Sequence, residues 1–384
     1  MAQLTQWTQP PYPPSGIFSV DLRLITRPWR SWIYYTRFDL VSFFQLMMAG
    51  ATPRVVEWPI PSALQGVTSY RTWINGLVLG PNETAWACLG PFTDGRLVEL
   101  QPSGGLITSF FGLAGAPYDD MFDLVFDGQG RLWYGVGAAP GRGGIGMFDR
   151  AGVRSFVWAL PAACGWPMSV WPERNGAVVW FASYNWLVSA GTAVAFFGRL
   201  DPAAGTVDYW SAPGPVMNFA IAAEPTSNAA NVWFKSYAYP SPARVVRFDV
   251  ANGTFYEYTA PTFLAPTDLD LDRGANAWVS EGENLRFIRK GANCGVTQFK
   301  HHSARVRSKD STVGAREERV KPIETPVSAS VSTIAPTPEN CFENYAVGPA
   351  RPMRLAIAPR PAPRARLSIY FTDPATNTVG RLDP

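Results

Sequence analysis

Apolar and polar positions alternate in short runs along most of this chain, and Gly, Pro, Asp and Asn punctuate the runs. One stretch shows the pattern in full. Phe122 to Phe126 alternates and ends at Asp127-Gly128-Gln129-Gly130, where glycine permits a positive φ. Leu132 to Val136, Ile145 to Asp149 and, after a turn at Ala151-Gly152, Val153 to Trp158 follow, closing at Pro161. Period-two alternation between turn signals predicts four short strands in a meander.

The second run of that meander recurs. NVWFKS from Asn231 is matched by SWIYYT from Ser31, TAWACL from Thr84, RLWYGV from Arg131, VVWFAS from Val178, NAWVSE from Asn276 and SIYFTD from Ser368. Each contains an aromatic anchor: Trp32, Trp86, Trp133, Trp180, Trp233, Trp278 and Tyr370. The first six anchors stand roughly 45–54 residues apart, the length of a four-stranded propeller blade. The third and fourth strands repeat as well. Gly198-Arg199-Leu200-Asp201, Gly205 and Thr206 to Trp210 parallel Val246-Arg247-Phe248-Asp249, Gly253 and Thr254 to Tyr258, with Arg96–Leu100 and Leu106–Phe110 as another copy. Asp-x-x-x-Gly between them suits a short hairpin.

The end of the chain, Gly380-Arg381-Leu382-Asp383-Pro384, reads as a third strand with no fourth after it, and Leu4 to Pro10 reads as a fourth strand. The expectation is therefore an all-β, seven-bladed β-propeller of four-stranded blades, closed by the N-terminal strand completing the C-terminal blade. The blades fall near 16–61, 73–113, 121–160, 167–213, 217–261, 266–302, and 352–384 with 2–10. Val296-Thr297-Gln298-Phe299 supplies the fourth strand of the sixth. A β-sandwich is the competing architecture. An all-helical one is excluded by 35 Pro and 34 Gly.

Composition agrees with a large β core: 47% hydrophobic, 14% aromatic and 15 Trp in 384 residues. A repeat architecture lets a chain of this length form a single domain, 1–384, because each unit shares its core with its neighbours. Residues 303–350 break the pattern and read as an irregular Ser/Thr/Pro-rich basic insertion between blades six and seven. It is either a solvated loop or an arm that orders on a partner. The net charge of +3 argues against nucleic acid as a partner. No signal peptide is recognised, and Leu40 to Ala51 is too short to span a bilayer. A soluble protein, cytoplasmic by default, is expected. Cys88 and Cys164 read as buried thiols, and Cys294 and Cys341 flank the insertion, where a disulfide would staple its base.

The combined pattern, Val179-Trp180-Phe181 with Gly198-Arg199-Leu200-Asp201-Pro202, and Tyr370-Phe371-Thr372-Asp373 with Val379-Gly380-Arg381-Leu382-Asp383, resembles the streptogramin lyase, or virginiamycin B lyase, family. The resemblance implies a seven-bladed propeller that opens a cyclic antibiotic lactone by elimination, using magnesium, a catalytic His and a nearby Glu. That pattern places the Glu at Glu281 and the His fourteen residues earlier, at Thr267. Threonine does not titrate near neutral pH and cannot serve as the base. His301 and His302 lie on a different run.

Other candidate chemistry is sparse. Gly141-x-Gly143-x-x-Gly146 matches a dinucleotide fingerprint in form, but a strand follows it instead of a helix, so it reads as a long hairpin loop. Asp268 and Asp270 with Glu281 form a candidate divalent-metal set, with solvated or Arg-paired carboxylates as the alternative. Asp119, Asp120 and Asp123 form a second acidic cluster, read as exposed loop carboxylates. No P-loop, G-x-S-x-G or H-E-x-x-H occurs.

Three functions follow as expectations. The first is a non-catalytic propeller binding a protein or glycan through its loops and the 303–350 insertion. The second is a lyase or other metal-assisted enzyme at a central channel lined by Asn75, Phe122, Asn218, Thr267 and Arg354. The third is a structural component of a surface or particle assembly.

Overall fold

The computed structural model describes residues 3–8, 19–27, 30–37, 40–47, 54–65, 73–80, 83–90, 96–101, 103, 105–110, 120–138, 142–149, 151, 154–185, 194–211, 221–223, 231–236, 244–258, 266–272, 274–281, 284–289, 297–300, 304–307, 332–333, 342–347, 354–358, 368–373 and 378–383. Cys294, Cys341, His301, His302, Asn218 and Asp119 lie outside them.

The alternating runs become strands. β1 (Gln3–Thr8) is followed by β2 (Ser19–Arg27), β3 (Arg30–Arg37), β4 (Leu40–Met47) and β5 (Arg54–Pro59), then by a single helical turn, α1 (Ser62–Gln65). Next come β6 (Trp73–Leu79), β7 (Ala85–Gly90), β8 (Arg96–Gln101) and β9 (Leu106–Phe110), then β10 (Asp120–Phe126), β11 (Leu132–Ala138), β12 (Arg142–Asp149) and β13 (Arg154–Ala159). β14 (Trp166–Pro172), β15 (Val179–Asn185), β16 (Val194–Asp201) and β17 (Thr206–Ser211) precede β18 (Ile221–Ala223), β19 (Asn231–Ser236), β20 (Arg244–Asp249) and β21 (Thr254–Tyr258). β22 (Pro266–Leu271), β23 (Ala277–Glu281) and β24 (Asn284–Ile288) lead into β25 (Thr297–Lys300), β26 (Ala304–Arg307), β27 (Ser332–Thr333) and β28 (Phe342–Ala346). β29 (Arg354–Ala358), β30 (Ser368–Asp373) and β31 (Thr378–Asp383) come last.

Five sheets are four-stranded: β2-β3-β4-β5, β6-β7-β8-β9, β10-β11-β12-β13, β22-β23-β24-β28 and β1-β31-β30-β29. The other two are larger: β14-β15-β16-β17-β26 has five strands and β18-β19-β20-β21-β25-β27 has six. The expected seven four-stranded blades are thus corrected to five. Two further expectations change with this count. β25 does not complete the sixth blade but pairs outside β21, with Phe299 opposite Phe255, and β28 takes its place beside β24. The 303–350 segment is also not wholly irregular, since it contributes β26, β27 and β28.

Aromatic stacking gives the physical reason for the exchange. The fourth strand of a sheet stacks an aromatic on the anchor: Phe110 on Trp86 at 5.4 Å between ring centroids, Trp158 on Trp133 at 5.6 Å and Tyr258 on Trp233 at 5.3 Å. Tyr345 of β28 fills that place for Trp278, at 5.5 Å. Such pairs add about 1 kcal/mol beyond the area they bury. β28 is tied down further by Glu343, which accepts from Arg289 (2.6 Å) and from the Tyr345 hydroxyl (2.8 Å).

Two compact units divide the chain: residues 1–126, 264–290 and 342–384 form the first, and residues 127–263 and 291–341 the second. In the first, β1 pairs antiparallel with β31, Gln3 opposite Asp383 through Thr8 opposite Thr378. Leu77, Ala85, Ala87, Leu89, Val98 and Leu100 are buried with Phe43 and Ile60 in one apolar cluster. In the second, Trp180, Phe197, Trp210, Phe234, Phe248 and Phe255 form an aromatic core.

Two turn designs recur. In the outer hairpins, Asp201 accepts backbone bonds from Ala203 and Ala204, and Asp249 from Ala251 and Asn252, with Gly205 and Gly253 at positive φ. Before the anchor strand, the chain folds back with a positive φ three residues into the turn, at Glu83, Gly130, Gly176 and Ala275. In three of these turns a nearby acceptor meets the anchor indole N–H: Thr84 for Trp86 (2.9 Å), Asp127 for Trp133 (2.9 Å) and Glu173 for Trp180 (3.2 Å).

The fingerprint-like glycines are also corrected. Gly143 and Gly146 lie within strand β12, not in a hairpin loop, and Gly141 is outside the described residues. A Cβ at Gly146 would collide with the Tyr134 ring, and one at Gly143 with the Gly165 carbonyl, so close packing requires both glycines.

Candidate functional site

The first strands of the sheets in the first unit stand in a row. β6 packs beside β10 and β2, β2 beside β29, and β29 beside β22. Their N-terminal ends are where irregularity concentrates. β6 shifts register between Ile74 and Gly76, leaving Asn75 as the extra residue. β22 shifts between Pro266 and Asp268, leaving Thr267. β2 shifts between Ser19 and Leu22. In β10, Asp123 has a φ of 48°, unusual for a residue with a Cβ, and its Oδ1 accepts from the Leu124 N–H (2.9 Å). A bulge takes backbone groups out of the ladder and re-aims the chain, which is why bulges gather at binding and active sites.

Two of these irregularities touch. A Cβ on Gly76 would lie 3.0 Å from Asp123 Cα and 3.2 Å from Cys88 Sγ, so glycine after the β6 bulge admits the β10 backbone. Cys88 donates to the Met121 carbonyl (3.8 Å), pinning the same two sheets. Cys88 and Cys164 are both buried free thiols, as expected.

The five expected lining residues separate under this geometry. Asn75 and Thr267 are the bulge residues, Phe122 is half-buried in β10 beside Asp123, and Arg354 opens β29 opposite Thr372. These four share the row of the first unit, while Asn218 lies outside the described residues. Sequence reasoning missed the bulges themselves and the backbone strain at Asp123. Asn75-Gly76 was the available signal, since that pair marks an irregular backbone. The second acidic cluster is corrected: Asp120 is buried and Asp123 half-buried, both within β10 and not on an exposed loop.

At β22 the register sets Pro266 opposite Glu281 and Asp268 opposite Ser280, so Thr267 occupies the bulge next to Glu281. The bulge thus sets a hydroxyl-bearing residue beside the strand position of Glu281. Asparagine and threonine donate and accept hydrogen bonds, and neither titrates near neutral pH.

The expected metal candidate Asp270 and its neighbour Asp272 are both taken up by hydrogen bonds of the fold. Asp270 Oδ2 accepts from the Ile357 N–H (3.2 Å) and Oδ1 from the Leu271 N–H (2.8 Å), which joins β22 to β29. Asp272 is absorbed by its own turn, accepting from Gly274 and Asn276. Among the described residues no three His, Cys, Asp or Glu side chains converge on one point. No helix among them is long and apolar enough to cross a membrane.

No protein-family profile matches the chain, and no curated protein matches it in sequence. Solved structures do. A catalytically inactive virginiamycin B lyase from Staphylococcus aureus, with quinupristin, superposes over 100% of both chains with a TM-score of 0.64 at 12% identity. Hydrazine synthase of Kuenenia stuttgartiensis matches with a TM-score of 0.53 at 10% identity, over 72% of this chain and 80% of that one. The Dos1 propeller gives 0.51 at 11% identity, over 96% and 78%. The fold is a β-propeller like that of streptogramin lyase. At these identities the likeness speaks for the fold alone.

Proposed function

We propose that this chain is a non-catalytic binding propeller on a streptogramin lyase-like scaffold, contacting a protein or glycan through its loops and the 303–350 segment. The observation that supports it is the β22 bulge. The position adjacent to Glu281 is held by Thr267, which has no proton-accepting group of suitable pKa, and the neighbouring Asp270 is used to tie two sheets together.

The test is affinity capture from the source cell extract and on a glycan array, with the full chain beside a deletion of residues 308–331. That deletion spares β26, β27 and β28, whereas removal up to residue 348 would take the outer strand from the β22–β28 sheet. Loss of the captured partner on deletion supports the segment as the contact. Unchanged capture of every partner overturns it.

A second reading is favoured by the row of bulges: a small, polar, uncharged ligand held at Asn75, Phe122, Thr267 and Arg354. Quinupristin serves as the first probe, since the similar lyase structure contains it. A rise in melting temperature that Asn75→Ala abolishes would support this reading, and no shift across a panel of cyclic peptides and lactones would remove it.

A further inference from the structure

Asparagine followed by glycine occurs three times in the chain, at Asn75-Gly76, Asn175-Gly176 and Asn252-Gly253. The pair is chemically reactive, because glycine has no Cβ to shield its backbone nitrogen from the preceding side-chain amide. The fold treats the three differently. Gly76 lies within β6, where a Cβ would meet Asp123 Cα at 3.0 Å and Cys88 Sγ at 3.2 Å. The Gly176 N–H donates to the Glu173 carbonyl (2.7 Å), and Arg131 and Asp127 side-chain atoms crowd the place of a Cβ. Asn175 is held as well, its side-chain oxygen accepting from the Ala177 N–H (3.1 Å) and its carbonyl from Arg131 Nη2 (2.8 Å).

Asn252-Gly253 stands apart, at the tip of the hairpin between β20 and β21. Asn252 is exposed, and no atom of a described residue lies within 4 Å of a Cβ on Gly253. The Asn252 side chain is held by Asp249, with Nδ2 donating to Oδ2 (2.9 Å) while the Asn252 N–H donates to Oδ1 (3.2 Å). Exposed bonds at a hairpin tip open locally, ahead of the ladder behind them.

We propose that Asn252 is a modification site, where the chain converts its own asparagine to aspartate and isoaspartate and so loosens the β20–β21 hairpin. The Gly253 nitrogen gives its proton to hydroxide and attacks Asn252 Cγ. The new C–N bond forms as the Cγ–Nδ2 bond breaks, and Nδ2 leaves as ammonia with a proton from water. Water then opens the resulting succinimide. Cleavage at Cγ gives aspartate, and cleavage at the backbone carbonyl gives isoaspartate, which carries an extra methylene in the main chain. Overall one water is consumed and one ammonia released, with no change of oxidation state. Either product loses the Nδ2 donor and adds a negative charge beside Asp249, so an attraction becomes a repulsion.

Peptide mapping by mass spectrometry, on the full chain incubated at mildly alkaline pH, tests the site. Conversion at Asn252 is expected to run at least tenfold faster than at Asn75 or Asn175, and the three rates should draw together in urea, where packing no longer protects the other two. Comparable rates in the folded chain, or a spread that survives in urea, overturns the proposal. Gly253→Ala shields the nitrogen and should slow conversion at least tenfold, and an unchanged rate would also overturn it. Should that variant fail to fold, the urea comparison decides. Once Asn252 is converted, the amides of 251–254 should exchange with solvent at least tenfold faster than in fresh protein. Equal exchange before and after conversion overturns the loosening of the hairpin.

Discussion

Asp127 to Trp133 and Asp272 to Trp278 are the same turn built twice with different results. In both, the first N–H bonds the carbonyl four residues on, Arg131 at 3.0 Å and Asn276 at 3.0 Å, and the fourth residue has a positive φ. In the first turn, Asp127 Oδ1 takes the N–H groups of Gln129 and Arg131, while Oδ2 takes Arg131 Nε (2.7 Å) and the Trp133 indole (2.9 Å). In the second, Asn276 Nδ2 donates to both oxygens of Asp272 (3.1 and 3.0 Å), and the buried Trp278 N–H has no partner among the described residues. The two turns thus differ in the residue two before the anchor, Arg131 or Asn276, and in whether the indole is satisfied. In the first turn one carboxylate oxygen serves both Arg131 and Trp133, and in the second Asn276 draws on both oxygens while the indole goes without a partner among the described residues. The anchor is retained in either case, so its main contribution is packing.

Breaking the carboxylates should give the largest difference. Asp127→Ala leaves a buried indole and a guanidinium without their acceptor and is expected to cost about 3 kcal/mol, against about 1.5 for Asp272→Ala, by calorimetric melting. Similar losses would show that the Asp127–Trp133 bond adds nothing. Gly130→Ala, which forces a Cβ into a left-handed conformation, should destabilise by about 1–2 kcal/mol, whereas Ala275→Gly should stabilise by about 0.5–1. Trp133→Phe is expected to cost about 1 kcal/mol more than Trp278→Phe, because only the former loses a hydrogen bond. Asn276→Arg should give the smallest effect, a gain of under about 1 kcal/mol, and the Trp278→Phe change should become costlier in its presence.

The elements that local pattern dictates were legible: the anchors, the Asp-x-x-x-Gly turns, and β1 as the partner of β31. What failed was the choice of outer strand for Trp278. Phe299 and Tyr345 both sit on alternating runs that satisfy period two, and alternation does not say which edge a strand will join. That choice belongs to non-local packing, where Tyr345 packs tilted against Trp278 and Phe299 pairs in register with Phe255. At the candidate site, Asn75 and Thr267 could be named as strand entries because these can be counted from the anchors. The bulges that make those entries unusual are backbone events, signalled only by Gly76. The bond from the Ile357 N–H to Asp270 could not be read from the sequence, because it comes from a strand distant along the chain.

A contrast of the same kind is proposed for β22, where Thr267 sits in a bulge beside Glu281 and offers no titratable group. Magnesium-dependent opening of a cyclic lactone antibiotic, followed by mass spectrometry on the unsubstituted chain, tests this most directly. The account predicts that the lactone stays intact over hours at enzyme concentrations equal to substrate. Ring-opened product formed with turnover, and lost on Glu281→Gln, would contradict it.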